Sequence, residues 1–300
     1  MNNGSFIKTY IISLLLAYWP RPLVDYWWKK RFGYTIDWEH PRDINEKIWW
    51  LLVNSDTTEW TRLSDKIKVR EYVKEKGLES ILIPLFGIWD NAKKIDFDQL
   101  PQKFILKCNH DSGSAIIVDK NNGFSKESII KSLNDSLKRD YGLNGELQYY
   151  RIYPHQIFAE QLIEFKNIEL SKSLIDYKIW CFDGIPKWIW TCQDRTKNSV
   201  ITNLWDLDWN VDINNVVEVG HYKIGKGNIP KPKNLVEMLR VASVLSEGFP
   251  EVRIDLYNVD GKIYFGEMTF TSMRGMMHYF TQEFLKVMGD QVNLKKAKRK

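Results

Sequence analysis

Two Asp-Gly pairs, each set between runs of strand-forming residues, constrain this chain more than any other feature. Asp183-Gly184 separates residues 177–182 from 187–192, and Asp260-Gly261 separates residues 252–258 from 262–268. Both residue types tolerate the positive φ of a tight hairpin turn, so two antiparallel hairpins are expected beyond residue 170. Between them a helix opens near Pro232, with Leu235, Met238, Leu239, Ala242 and Leu245 along one side, the spacing of a core-facing stripe. Ahead of the hairpins, strands are expected at residues 104–107, 115–118 and 156–160. A helix capped by Ser125 lies among them, with Ile130, Leu133 and Leu137 facing inward. The first ninety residues read mainly as helix. Ser64 is expected to cap one helix that carries Val69, Tyr72, Val73 and Lys76 on one face and stops at Gly77. Strands mixed with packed helices and antiparallel hairpins make the class α+β.

Charge and cysteine usage narrow the function classes. The net charge is +5, with part of the excess in the tail Lys295, Lys296, Lys298, Arg299 and Lys300, and no aromatic-plus-basic motif accompanies it. No nucleic-acid partner is expected. Cys108, Cys181 and Cys192 are odd in number, with spacing that gives neither a disulfide framework nor a zinc site. They read as buried thiols in a reducing compartment, so the expected location is cytoplasmic. The apolar stretch 11–16 is too short to span a bilayer. With Tyr18, Trp19 and Arg21 behind it, it suits either a core helix or peripheral contact with the cytoplasmic face of a membrane. Many of the 13 tryptophans precede residue 61, and most are expected in the core.

The second hairpin carries the most chemistry. Strand alternation sends Val252, Ile254 and Leu256 to one face, and Arg253, Asp255 and Tyr257 to the other. The place of Glu267 depends on the turn. A two-residue loop opposes Asp255 to Gly266 and turns Glu267 away. A three-residue loop opposes Asp255 to Phe265 and brings Glu267 onto the same face. Two neighbouring carboxylates repel unless a hard cation such as Mg²⁺ lies between them. The hairpin alone leaves both registers open. A second segment, from Phe104 through Lys107, Cys108, Asn109 and His110 to Asp111, Ser112, Gly113 and Ser114, ends an apolar strand in a lysine and a small polar loop. Such a pair can meet phosphates, although the spacing is not that of a Walker A loop. A third runs from Phe158, Ala159 and Glu160 through Gln161 and Ile163 towards Asp176, Tyr177 and Lys178, and alone has little specificity.

In this order the segments resemble the ATP-grasp superfamily. The nearer likeness is to its TupA-like branch, found in bacterial capsular-polysaccharide and teichuronopeptide gene clusters. The resemblance covers most of the chain and includes His40-Pro41, Asn45-Glu46-Lys47-Ile48, Leu63-Ser64-Asp65-Lys66 and Ile83-Pro84-Leu85-Phe86-Gly87. It implies two α+β lobes gripping ATP, preceded by a mainly helical region: residues 1–90, then a phosphate-binding lobe at 91–160, then a magnesium-binding lobe at 161–300. It further implies that Lys107 binds ATP phosphates beneath a loop of His110, Ser112, Gly113 and Ser114. Glu160, Gln161 and Ile163 would line the adenine slot, and Asp176 would hold the ribose near Lys178. Asp255 and Glu267 would ligate Mg²⁺, while Arg253, with Arg195, would stabilise the transferred phosphoryl group. The implied activity is ATP-dependent ligation of a small carboxylate, such as an amino acid, to an amine on a polysaccharide or sugar acceptor. One departure stands out, since Thr269 occupies the place where such enzymes commonly carry an asparagine. Two alternatives differ in class. Asp206-Leu207-Asp208 has the Asp-x-Asp form of some glycosyltransferases, and a non-catalytic, polymer-binding relative of the ATP-grasp enzymes would fit the change at Thr269.

Overall fold

The structure is a computed structural model describing residues 11–12, 14–16, 18–139, 141–144, 152–165 and 169–298. Residues 6–10, 13 and 17 of the expected N-terminal helix, and Arg299 and Lys300 of the basic tail, lie outside the described residues.

Among the described residues, 11–12, 14–16 and 18 are helical, and four helices follow: α1 (Pro20–Phe32), α2 (Ile44–Asn54), α3 (Thr58–Ser64) and α4 (Val69–Glu75). Pro20 and Pro22 suit the first turn of α1, where no backbone partner is lost, and Gly33 closes it at φ +85°. Asp43 caps α2 by accepting the Glu46 N–H at 3.0 Å. Helix α2 buries Ile48, Trp49, Leu51 and Leu52 around its circumference, so it must be enclosed. Ser64 does not cap α4; Asp65 closes the turn that leads into it, accepting the Ile67 N–H at 2.9 Å and the Lys68 N–H at 3.3 Å. Ser64 is instead the buried last residue of α3. A carboxylate accepts amide hydrogens more strongly than a hydroxyl, and here it wins.

The first sheet has the order β1-β4-β2-β3, with β1 (Leu85–Trp89), β2 (Lys103–Cys108), β3 (Ile116–Asp119) and β4 (Ile157–Gln161), all antiparallel. Helix α5 (Lys126–Leu137) covers one face, Ser125 capping it through the Ser128 N–H at 3.1 Å. Phe104, Leu106, Val118 and Leu133 fill the space between. Strand β1 had been expected within the helical region. It pairs with β4 because that edge offers its backbone the ladder that no helix can.

The second sheet has the order β10-β9-β5-β6-β7-β8. Its strands are β5 (Asp176–Phe182), β6 (Ile185–Gln193), β7 (Val200–Trp205), β8 (Tyr222–Ile224), β9 (Val252–Val259) and β10 (Lys262–Thr269). Both Asp-Gly pairs form the expected turns, with Asp183 and Asp260 at φ +52°, Gly184 at +81° and Gly261 at +82°. Helix α6 (Leu235–Ser246) packs across β5, β6 and β9, and α7 (Gln282–Gln291) lies against α2. The N-terminal helices share this core. Trp60 stacks on Phe270 with centroids 5.0 Å apart, and the Tyr72 hydroxyl donates to the Leu245 carbonyl at 3.0 Å. Most early tryptophans are accordingly buried or half-buried, but Trp19 is exposed.

The hairpin register combines both sequence expectations. The turn is two residues long, since Lys262 pairs with Val259 and Phe265 with Leu256. A β-bulge at Gly266 then inserts one residue, so Glu267 pairs directly with Asp255. The two acids share a face through the bulge rather than through a longer turn.

Candidate active site

A cavity of about 790 Å³ lies between the two sheets, with the helical region as a third wall. Its floor is the face of the second sheet turned away from α6. Alternation on β5 presents Asp176 and Lys178, β9 presents Arg253, Asp255 and Tyr257, and β10 presents Glu267 and Thr269. Lys178 pairs across the ladder with Asp255. The opposite residues, Tyr177, Ile179, Ile254 and Leu256, enter the core.

Arg253 organises this floor. Its Nε and Nη2 grip Asp255 at 2.6 and 2.7 Å, Nη2 reaches Thr269 Oγ1 at 3.0 Å and Glu267 Oε1 at 3.4 Å, and Nη1 donates to Ser272 Oγ at 2.8 Å. The Lys178 ammonium also pairs with Asp255. Burial alone would raise the Asp255 pKa, but Arg253 and Lys178 outweigh it and hold the carboxyl below its ordinary range. Thr269 Oγ1 donates to Glu267 Oε1 at 3.0 Å, so the residue that departs from the family pattern links Arg253 to the second acid. Arg195 reaches Asp176 from the side, at 2.7 Å.

The opposite wall carries Lys107, Ser112, Gly113 and Ser114, as the sequence suggested. Lys107 is ion-paired with Glu160 on the neighbouring strand. Ser114 Oγ donates to Asp111 at 2.6 Å and accepts the Cys108 N–H at 2.9 Å, which folds the loop back on β2. Glu160 and Ile163 are buried and Gln161 is exposed at the end of β4, outside the cavity lining. His110 does not line the cavity either. It is fully buried, its ring stacked on His155 with centroids 3.6 Å apart. Burial and the neighbouring His155 lower its pKa, so it packs as a neutral ring. Asp206 is consumed by its own turn, accepting the N–H groups of Asp208 at 2.9 Å and Asn210 at 2.8 Å.

Sequence reasoning missed several contributors. Lys66 lines the cavity, its ammonium donating to the Asp111 carbonyl. Burial lowers its pKa, against the pull of Glu267 and Asp111. Asn109 ties the two segments together, donating to Asp65 Oδ2 at 3.1 Å while its carbonyl accepts the Lys66 N–H at 3.1 Å. Arg31 from the last turn of α1, and Arg274, also line the cavity. The Asp65-Lys66 pair was visible as a motif, but nothing local announced where its lysine points.

The donor chemistry fits magnesium. Asp255 and Glu267 are hard oxygen donors in direct cross-strand register on a cavity wall. Magnesium typically takes one or two carboxylates and completes its shell with phosphate oxygens and water. Among the described residues no group of three or more His, Cys, Asp or Glu could hold a metal.

Comparison with known proteins gives a consistent fold. The family described as TupA-like ATPgrasp matches residues 46–293. No curated protein sequence matches the chain. Among solved structures, an L-amino acid ligase from Bacillus licheniformis is 13% identical with a TM-score of 0.50, over 94% of this chain and 60% of that one. A D-alanine–D-alanine ligase from Bacillus anthracis, complexed with ATP, is 15% identical with a TM-score of 0.46, over 80% of this chain and 67% of that one. The former likeness is one of fold.

Proposed function

Because this chain belongs to the TupA-like ATP-grasp family, we propose that it is an ATP-dependent ligase that activates a carboxylate as an acyl phosphate and joins it to an amine. The observation that carries this reading is the direct pairing of Asp255 with Glu267 on one wall of a cavity whose other wall presents Lys107. A carboxylate is a poor acyl donor, and phosphorylation supplies a leaving group that an amine can displace. The protein must then neutralise triphosphate charge, hold the reacting oxygens in line and keep water from a labile anhydride.

The side chains divide this work. Lys107 and Lys66 would meet phosphate oxygens, with backbone N–H groups of Ser112, Gly113 and Ser114 beside them. Asp176 would border the ribose, whereas Glu160, Gln161 and Ile163 lie outside the cavity lining, so the adenine-slot role that the resemblance implies would need that lining to extend to the end of β4. Asp255 and Glu267 would hold magnesium, which when bound neutralises phosphate charge. Arg253, fixed by four neighbouring side chains, would stabilise charge on the transferred phosphoryl group without reorganising, and Arg195 would assist from the side.

The test is ADP release measured against a panel of amino acids and uronic-acid acceptors. Asp255→Asn and Glu267→Gln should each lower turnover roughly 100-fold or more, as removal of a charge-stabilising group does. Undiminished turnover in both variants would remove the assigned site. One observation favours a second reading, a non-catalytic relative. Both Asp255 oxygens are already engaged by Arg253 and Lys178, leaving a metal to compete for them. Failure to bind nucleotide with magnesium, together with no ADP release for any pair in the panel, would support it.

The acceptor class, a bacterial surface or capsular polysaccharide, rests on the family resemblance alone. Among the described residues no helix is long and apolar enough to cross a membrane. Exposed Trp19 and Tyr26, with Arg21, Lys29 and Lys30 also exposed on α1, support peripheral contact with an anionic cytoplasmic leaflet. Sedimentation with phosphatidylserine vesicles should fall in Trp19→Ala; equal sedimentation of variant and wild type would dismiss the contact.

A further inference from the structure

The loop that would meet phosphates is fastened at its base by another part of the chain. It leaves β2 at Cys108 and folds back through Ser114, which holds Asp111 and the Cys108 N–H. Outward ties run from it to the turn between α3 and α4. Asn109 is wholly buried, and both polar atoms of its side-chain amide are engaged. Its Nδ2 donates to Asp65 Oδ2 and to the Pro154 carbonyl, each at 3.1 Å, while its Oδ1 accepts the Gln156 N–H at 2.8 Å. Its backbone N–H donates to the Gln156 carbonyl at 3.0 Å, and its carbonyl accepts the Lys66 N–H at 3.1 Å. The Lys66 ammonium then takes the Asp111 carbonyl, two residues further into the loop.

Asp65 is buried and stands outside the cavity lining. One of its carboxylate oxygens is fixed by the Ile67 and Lys68 N–H groups, which aims the other at Asn109. A buried polar network satisfied in this way is rigid. Two links continue the grip along the chain: Lys68 Nζ donates to the Tyr153 carbonyl at 3.1 Å, and Arg70 Nη2 to the Ile83 carbonyl, just ahead of β1, at 2.6 Å. The same stretch also belongs to the core of the second sheet, through Trp60 on Phe270 and Tyr72 on the Leu245 carbonyl. Residues 60–72 therefore join both bodies. Lys66 is drawn by Glu267 and repelled by Lys107, so its ammonium feels both walls of the cavity at once.

We propose that Asp65 is a positioning residue for the nucleotide reaction: by fixing Asn109 it holds the loop from His110 to Ser114 at the distance from Asp255 and Glu267 that one triphosphate spans. This role rests on the nucleotide reading of the cavity. It adds that the helical region sets the reacting geometry through a residue that touches neither nucleotide nor substrate. Misplacement of a binding group by about 1 Å costs up to roughly 100-fold in rate, so a loop that presents its N–H groups to phosphates needs such a support. The link from the helical region to Asn109 runs through one side-chain hydrogen bond and the neighbouring Lys66 backbone, and the former is open to substitution.

A double-mutant cycle in the full chain tests it, with Asp65→Asn, Asn109→Asp and the two combined. Asp65→Asn sets one side-chain N–H against another, and Asn109→Asp sets two carboxylates together. The combined variant again faces one donor with one acceptor. Each is read twice: by calorimetric affinity for magnesium with a non-hydrolysable ATP analogue, and by hydrogen–deuterium exchange of the peptide 108–115. Both single variants should bind the analogue roughly tenfold more weakly and exchange faster in that peptide. The combined variant should bind at least about tenfold more tightly than the product of the two single losses. Losses that simply multiply, or affinity unchanged in both single variants, overturn the role. Faster exchange with unchanged affinity also overturns it, since the contact is then structural alone. Should a single variant fail to fold, the combined variant decides: affinity within about tenfold of wild type sustains the link, and a greater loss or an unfolded chain removes it. A wild-type chain that refuses the analogue overturns the nucleotide reading instead, and the exchange cycle still decides whether Asp65 fastens the loop.

Discussion

A side chain at position 266 would place its Cβ 2.9 Å from the Asp255 carbonyl oxygen, closer than packed atoms tolerate. Glycine is therefore required where the bulge presses against β9, and the bulge is what brings Glu267 opposite Asp255. Gly266→Ala should cost about 1–3 kcal/mol and, by pushing Glu267 out of register, remove magnesium-dependent nucleotide binding. A denaturant midpoint and a nucleotide titration measure the two effects, and wild-type behaviour in both would show the bulge to be incidental. This glycine was legible as a letter but not as a bulge, because pairing register is fixed by two strands and their facing cores. Glu251 is a second case. It is fully buried, neither carboxyl oxygen has a hydrogen-bond partner among the described residues, and burial raises its pKa well above 4.5 against the opposing charge of Arg253. Its folded form therefore keeps the proton. The stability linked to that proton is fully present below about pH 4.5, the unfolded value, and is lost as pH rises towards the folded one. Glu251→Gln should be increasingly stabilising relative to wild type as pH rises from 5 to about 8, read from urea midpoints. A difference that stays flat over that range would mean the acid finds a partner in solution.

Elements whose signals are local were readable in advance: both Asp-Gly hairpins, the Ser125 cap of α5 and the stripe of α6 all depend on neighbours in sequence. The helical region read correctly as helix, but its part in the site did not show. That part runs through contacts such as Asn45 to Met277, separated by 232 residues. Helix α2 carries Asn45 buried in its first turn, where the side-chain amide both donates to and accepts from the Met277 backbone. Removing it strands one buried N–H and one buried C=O, so Asn45→Ala should cost about 2–5 kcal/mol. Asn45→Asp keeps the acceptor for the Met277 N–H but loses the donor, and should fall between. If the alanine variant unfolds at the wild-type urea concentration, the segment from Ser272 to Met277 is held by something other than α2.

At the scale of the molecule, the helical region and the second sheet share one core, whereas the first sheet has its own, built on Phe104, Leu106 and Leu133. The cavity is the seam between these two bodies. Lys107 stands on one side, Asp255 and Glu267 on the other, and Lys66 crosses between them through its bond to the Asp111 carbonyl. Charged side chains, most of them ion-paired, crowd both walls, so the seam lacks the apolar contact that closes each core. A magnesium nucleotide spanning it would bridge cations on one wall to acids on the other, stabilising the folded state by its own binding energy. At a concentration of 100 Kd that amounts to about 2.7 kcal/mol, which for a chain of this size raises the melting temperature by roughly 5 °C. The rise should require magnesium and nucleotide together and should vanish in Glu267→Gln. It should shrink in Lys66→Ala, whose lost contact lies on the opposite side of the seam. A full rise in Glu267→Gln, or an equal one from nucleotide without any divalent cation, would mean that the nucleotide binds one wall only and that the two carboxylates serve the protein's own arginine.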